Sequence, residues 1–217
     1  MRTKFRDRTE AGQLLAGPLR RFAGRDDVLV LGLPRGGVPV AYPVAEALRA
    51  PLDVFVVRKL GVPMHRELAM GAIATGGVLV RNEEVLRELR ISQADFDGVV
   101  ADEAAELRRR EQAYRGHNAA PELRGRVVIL VDDGIATGCT MLAAIEAVKR
   151  QQPAAVIVAV PAAAEQTCAR LKPQSAELVV LIVAEDFQAV GQWYEDFSQT
   201  TDAEVACLLQ QARSFCP

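Results

Sequence analysis

The stretch Val128-Ile129-Leu130-Val131-Asp132-Asp133-Gly134-Ile135-Ala136-Thr137-Gly138-Cys139-Thr140 decides the fold. Its first four residues are apolar and β-branched or leucine, as in a strand covered on both faces. Two adjacent carboxylates mark the strand's tip. A turn of small residues with two threonines follows, and a helical pattern runs over 140–149. Outward from this stretch the same alternation repeats. Strands are expected over 28–33, 53–57, 126–131, 154–160 and 177–183, and helices over 7–22, 38–48 and 163–171. Continuous apolar strands separated by helices predict an α/β fold, a doubly wound parallel sheet with right-handed crossovers.

Two regions break the rhythm. Residues 58–125 are too long for an ordinary strand-to-helix connection. They begin as a Gly/Pro-containing loop and turn helical, with Ser92 and Asp95 as a helix start and Phe96, Val100, Ala104, Leu107 and Tyr114 at helical spacing. Glu106–Arg110 and Glu111–Arg115 are i,i+4 pairs on an exposed face. The tail from Ala184 carries Phe187, Trp193, Tyr194 and Phe197. The expected organisation is a single domain over 1–217, with a loop region at 58–81, a helical insertion at 82–120 and a C-terminal segment at 184–217.

The 217 residues are 50% hydrophobic, 25% charged and 5% aromatic, a globular composition and not a disordered or fibrous one. Lys and Arg number 26 against 28 Asp and Glu, so the net charge of −2 provides no global basic field for nucleic acid. Arg108-Arg109-Arg110 reads as a solvated helix face. No stretch approaches the roughly 20 apolar residues that span a bilayer. The N-terminus is too polar for a signal peptide, and a cytoplasmic location is expected. Cys139, Cys168, Cys207 and Cys216 contain no C-x-x-C pair and are expected to stay reduced. With two histidines, zinc is not expected.

In an open parallel sheet, ligands bind beyond the carboxyl ends of the strands. There the turn after Asp133 can present N–H groups, a helix N-terminus and the Thr137 and Thr140 hydroxyls to a phosphate, while Asp132 and Asp133 suit a diol or a metal. The loop lacks the Lys-Ser/Thr pair of a P-loop and is not G-x-G-x-x-G. Alanine at its centre excludes a nucleophile elbow. A helix cap alone would account for one acid and not two.

This stretch resembles the phosphoribosyl-diphosphate (PRPP) motif of type I phosphoribosyltransferases, and the whole chain is most similar to uncharacterised predicted members of that family. The resemblance covers about 28–195 and implies a set of roles. Asp132 and Asp133 would contact the ribose hydroxyls, and Gly134, Ala136, Thr137, Gly138, Cys139 and Thr140 would hold the 5′-phosphate. Gly134 departs from the aliphatic residue common there. Leu33-Pro34-Arg35-Gly36-Gly37 falls where the family has its pyrophosphate loop, so Arg35, Gly36 and Gly37 would bind diphosphate. Arg58 and Lys59 fall where its mobile catalytic loop begins. The tail is similar to the family's base-binding hood, with Phe187 as the first candidate to stack on an acceptor and Trp193 and Tyr194 beside it. A lysine expected after the strand at 156–160 is replaced by Pro161-Ala162-Ala163, which argues against hypoxanthine or guanine.

The resulting expectation is a Mg²⁺-dependent enzyme, a homodimer, that transfers phosphoribose from PRPP to a nitrogenous acceptor, a nucleobase, and releases pyrophosphate. Asp132, Asp133, Lys59 and Arg35 would carry catalysis, and the two aspartates would meet the metal largely through PRPP or water. The alternatives are a PRPP- or nucleotide-sensing regulator on the same fold and a sugar-phosphate hydrolase, for which no third acid or histidine is placed.

Overall fold

The computed structural model describes residues 4–215. In chain order its strands are β1 (Val28–Gly32), β2 (Leu52–Val54), β3 (Val57–Val62), β4 (His65–Ala74), β5 (Val78–Arg81), β6 (Val127–Val131), β7 (Ala155–Ala164) and β8 (Glu177–Ala184). The helices are α1 (Arg8–Leu19), α2 (Gly37–Leu48), α3 (Glu83–Glu88), α4 (Gln93–Arg115), α5 (Cys139–Lys149), α6 (Glu165–Leu171) and α7 (Asp202–Ala212). Five strands form one sheet in the order β2-β1-β6-β7-β8, and each neighbouring pair is parallel.

The period-2 geometry of β6 explains why every residue in it is apolar. Val127, Ile129 and Val131 pack with Leu15, Leu19, Val40 and Val44 of α1 and α2. Val128 and Leu130 face the other way, onto Met141 and Ile145 of α5 and Leu171 of α6. Each large aliphatic side chain buried in this way contributes about 1.5–3 kcal/mol. The doubly wound α/β sheet is therefore present as the apolar runs predicted.

Three expectations need correction. The first concerns 58–81, which is not a loop. Strands β3, β4 and β5 form a separate antiparallel sheet in that order. Gly61 and Pro63, which read as loop residues, lie at a register shift after Leu60 and in the β3–β4 turn. Leu60, Val62, Met70 and Ile73 pack with Phe96, Leu107 and Tyr114 of α4, so the helical insertion covers one face of this arm. The second concerns the strand expected to end at 160: Pro161-Ala162-Ala163 continues β7, and the helix expected from 163 starts at Glu165. Register runs from Val160↔Val180 to Ala162↔Ile182, stepping over Pro161, which has no N–H to give. The third concerns Arg115, whose side chain is buried and not on an exposed face. It donates to Asp53 Oδ1 at 2.8 Å, Glu111 Oε1 at 2.9 Å and the Val54 carbonyl at 2.5 Å, tying α4 to β2.

The expected helix start holds. The Ser92 hydroxyl accepts from the Asp95 N–H at 3.1 Å. Cys139, Cys168 and Cys207 are free thiols, and Cys216 lies outside the described residues. No described helix is long and apolar enough to cross a membrane.

Candidate functional site

From β1 the chain turns through α2 to β2 on one side of the sheet, and from β6 through α5 to β7 on the other. A crevice opens where these two loops part. They approach closely because Gly36 and Gly37 lack a Cβ. A Cβ on Gly37 would lie 2.6 Å from the Val131 carbonyl oxygen, and one on Gly36 would lie 1.9 Å from Asp133 Oδ2. The Leu33 N–H donates to the Val131 carbonyl at 2.8 Å, which locks the loops together at their base. The Pro34–Arg35 peptide is cis. The Arg35 guanidinium is part-exposed, with Nη1 3.9 Å from Asp202 Oδ1 at the start of α7. Thus Gly36 and Gly37 lie against Asp133 and Asp132, while the Arg35 side chain points towards Asp202.

Asp132 and Asp133 sit at the tip of β6. Asp132 Oδ1 accepts from the Asp133 N–H at 2.9 Å. Asp133 Oδ2 accepts from Arg8 Nε at 2.9 Å and lies 2.9 Å from Arg8 Nη2. Burial raises the pKa of both carboxyls, and for Asp132, which also has the charge of Asp133 beside it, the rise is large. Arg8 opposes the rise at Asp133.

The turn that follows is held by β7 and α6. The Ile135 N–H donates to the Ala162 carbonyl at 2.9 Å, and the Ala164 N–H donates back to Ile135 at 3.0 Å. The Thr167 hydroxyl donates to the Ala136 carbonyl, and Arg170 Nη1 donates to the Thr137 carbonyl at 3.2 Å. Gly138, at φ +75°, caps α5 in the left-handed region that glycine favours. The first N–H groups of α5 have no intrahelical partner. With the exposed Thr137, Cys139 and Thr140 they form a cradle suited to an anion. Gly134 admits Val190 of the hood, since a Cβ there would meet Val190 Cγ1 at 2.6 Å.

Arg58 and Lys59 are placed differently from the expectation. Both belong to β3 and lie beside α4. Arg58 Nε donates to Glu103 Oε2 at 2.7 Å. Lys59, with Gly61, Val62, Met64, Asp102 and Glu103, lines a groove of about 560 Å³ between the arm and α4.

The hood is split. Phe187 and Trp193 pack at 5.7 Å between ring centroids, both part-buried. Tyr194 is not available to stack on an acceptor. It is 3% exposed, its ring covered by Phe5 at 5.6 Å and Phe197 at 5.2 Å. Its hydroxyl donates to the Asp133 carbonyl at 2.6 Å, so it supports the acid loop instead. Sequence reasoning missed Arg8, Tyr194's real role, Thr167 and Arg170. Arg8, Thr167 and Arg170 lie in no motif, and Arg8 and Asp133 are 125 residues apart.

The fold and crevice define an α/β domain in which two loops meet at the switch point of the parallel sheet. Comparison with known proteins makes the assignment specific. Residues 66–196 match the phosphoribosyl transferase domain family model, and the chain belongs to that family, one of transferases. The match includes the acid loop and the first part of the hood and leaves out the loop after β1. A Mycobacterium tuberculosis protein named "Putative phosphoribosyl transferase" is 46% identical over 208 residues, covering 96% of this chain and 47% of that protein. The chain therefore spans about half the length of the curated relatives it matches. The crystal structure of TT1426 from Thermus thermophilus superposes with a TM-score of 0.84 at 44% identity, covering 96% of this chain and 98% of that one. A hypothetical protein from Neisseria gonorrhoeae, solved with bound ppGpp, shares the fold at a TM-score of 0.52 and 16% identity, covering 98% and 99%.

Proposed function

We propose that this chain transfers phosphoribose from PRPP to a nitrogenous acceptor, a nucleobase, and releases pyrophosphate. The observation that carries this reading is the pair Asp132–Asp133 at the tip of β6, facing Gly36 and Gly37 of the β1 loop across one crevice. In this reading Asp132 and Asp133 orient the ribose hydroxyls. The N–H groups over 136–140 hold the 5′-phosphate, and Arg35 with the Gly36–Gly37 backbone receives the diphosphate. The C–O bond to diphosphate breaks as the acceptor nitrogen bonds to the same carbon, and charge builds on both fragments. Catalysis is then positioning and electrostatic stabilisation, with no covalent nucleophile.

Among the described residues no three His, Cys, Asp or Glu side chains cluster as a protein-only metal site. Two carboxylates completed by diphosphate oxygens and water are the usual setting for Mg²⁺, so the residues fit that ion. When bound, it would neutralise charge on the departing diphosphate. The groove beside Lys59 supports a supplementary role for the arm, in which Lys59 and Arg58 close over the diphosphate and exclude water. Phe187 and Trp193 are the candidate acceptor platform. We extend the reading to a cytoplasmic homodimer, which sedimentation of the purified chain tests.

The deciding experiment is Mg²⁺-dependent pyrophosphate release from PRPP across a panel of nucleobases and simple amines. Release with a particular acceptor is the expected result, and binding of PRPP without release under any acceptor would favour a sensing role. Phe187→Ala should weaken acceptor binding by about 1–3 kcal/mol if the ring stacks on a base. Unchanged acceptor affinity in titration would return Phe187 to the core.

A further inference from the structure

Arg8 is an unusual choice for its place in the chain. It is the first residue of α1, where the helix dipole disfavours a cation. Asp7 already caps that helix, its carboxylate accepting from the Glu10 N–H at 2.8 Å, so Arg8 is not needed to start it. Instead its side chain turns into the crevice and is nearly buried, at 12% exposure. The guanidinium is engaged on three sides. Nε and Nη2 meet Asp133 Oδ2, and Nη1 donates to the Ser198 carbonyl at 2.7 Å. Its Cζ lies over the Phe197 ring, 4.0 Å from the centroid. A Cβ on Gly36 would come within 3.2 Å of Arg8 Nε, so the loop after β1 also abuts it. Around it the N-terminal segment is stitched to the hood. The Phe5 N–H donates to Trp193 at 2.8 Å, and the Glu195 and Asp196 N–H groups donate back to Phe5 and Arg6 at 2.8 and 2.9 Å.

We propose that Arg8 is a positioning residue of the phosphoribosyl site, which fixes the orientation of Asp133 and joins the N-terminal helix and the hood to it. The proposal rests on the phosphoribosyl-transfer reading. With Oδ2 held by Arg8, the Asp133 carboxylate is fixed in orientation at the crevice, and the hood cannot shift at Ser198 without pulling on the acid loop. A guanidinium is required because a planar fork reaches Asp133 and Ser198 at once with its carbon over the Phe197 ring, which a lysine ammonium cannot do.

The test compares Arg8→Ala, Arg8→Lys and, as a charge control, Arg6→Ala, whose exposed guanidinium pairs with Asp7. Each is assayed for PRPP affinity by calorimetry, for KM of PRPP and of the acceptor separately, and for its thermal midpoint. Arg8→Ala is expected to weaken PRPP binding and raise the PRPP KM about tenfold or more, with a smaller change in acceptor KM. Guanidinium ion at millimolar concentration should restore part of the loss, Arg8→Lys should recover little, and Arg6→Ala should match the wild type. A wild-type PRPP affinity in Arg8→Ala overturns the proposal. So does a loss spread equally over both substrates, tracking the thermal midpoint and indifferent to guanidinium. A wild-type chain that binds PRPP without turnover removes the transfer reading and still tests Arg8 through affinity, whereas no PRPP binding by the wild type overturns both.

Discussion

Strands β1 and β6 are buried at every residue, whereas β5 is half-buried or exposed along its whole length and β3 mixes buried, half-buried and exposed positions. The difference follows from what covers each sheet. Helices close both faces of the parallel sheet at its centre, so β1 and β6 hold only apolar residues. The antiparallel arm packs on α4 with one face and on α5 through Val57, Ala74, Val78 and Val80, yet it keeps charged groups such as Arg58 and Lys59 within a strand. One region supplies a rigid mount for the acid pair, and the other is a lighter structure beside the groove. Enzymes that transfer charged groups commonly combine a fixed binding half with an element able to close.

The comparison can be broken at several points. The largest effect is expected at the rigid mount. Asp133→Asn should lower PRPP-dependent turnover by about a hundredfold or more with an unchanged far-ultraviolet circular dichroism spectrum; normal turnover would remove the ribose role of that acid. Next in size is core stability. Leu130→Ala in β6, fully buried, should cost about 2–5 kcal/mol in chemical denaturation, while Val80→Ala in half-buried β5 should cost about 1 kcal/mol. Equal losses would mean that the arm is as tightly packed as the sheet. Lys59→Ala should leave stability unchanged and lower turnover about tenfold if the arm closes over diphosphate, so a wild-type rate would confine the chemistry to the parallel sheet. The smallest effect belongs to Glu103→Gln, which removes the part-exposed partner of Arg58. Its cost should stay below about 1 kcal/mol because solvent screens such a pair; a larger loss would make this ion pair the arm's main attachment to α4.

Much of the fold was legible because its signals are local. The apolar runs that became β1, β6, β7 and β8 lie within a few residues, and the Asp-Asp-Gly turn announces itself between a strand and a helix. Serine at position 92 signalled the start of α4 for the same reason. The arm was less legible. Gly61 and Pro63 interrupt it at one end of β4 and Gly76 and Gly77 at the other, and a loop reading won over strands whose alternation is weak. Tyr194 and Phe187 look alike in sequence, as aromatics of one segment. Only packing separates the buried one, which supports the Asp133 carbonyl, from the half-buried one.

By itself, then, the sequence determined the α/β class, the strand–turn–helix unit and the acids at its tip, since chain-local periodicity and turn chemistry suffice for these. The tertiary structure alone decided which partner Asp133 has, that Tyr194 braces the acid loop, that Thr167 and Arg170 hold the turn after it at the Ala136 and Thr137 carbonyls, and that Arg58 pairs with Glu103. The physical reason is distance along the chain. Arg8 meets Asp133 across 125 residues and Tyr194 meets it across 61. Such pairings are set by how the sheet twists its layers together, which no local pattern of residues encodes.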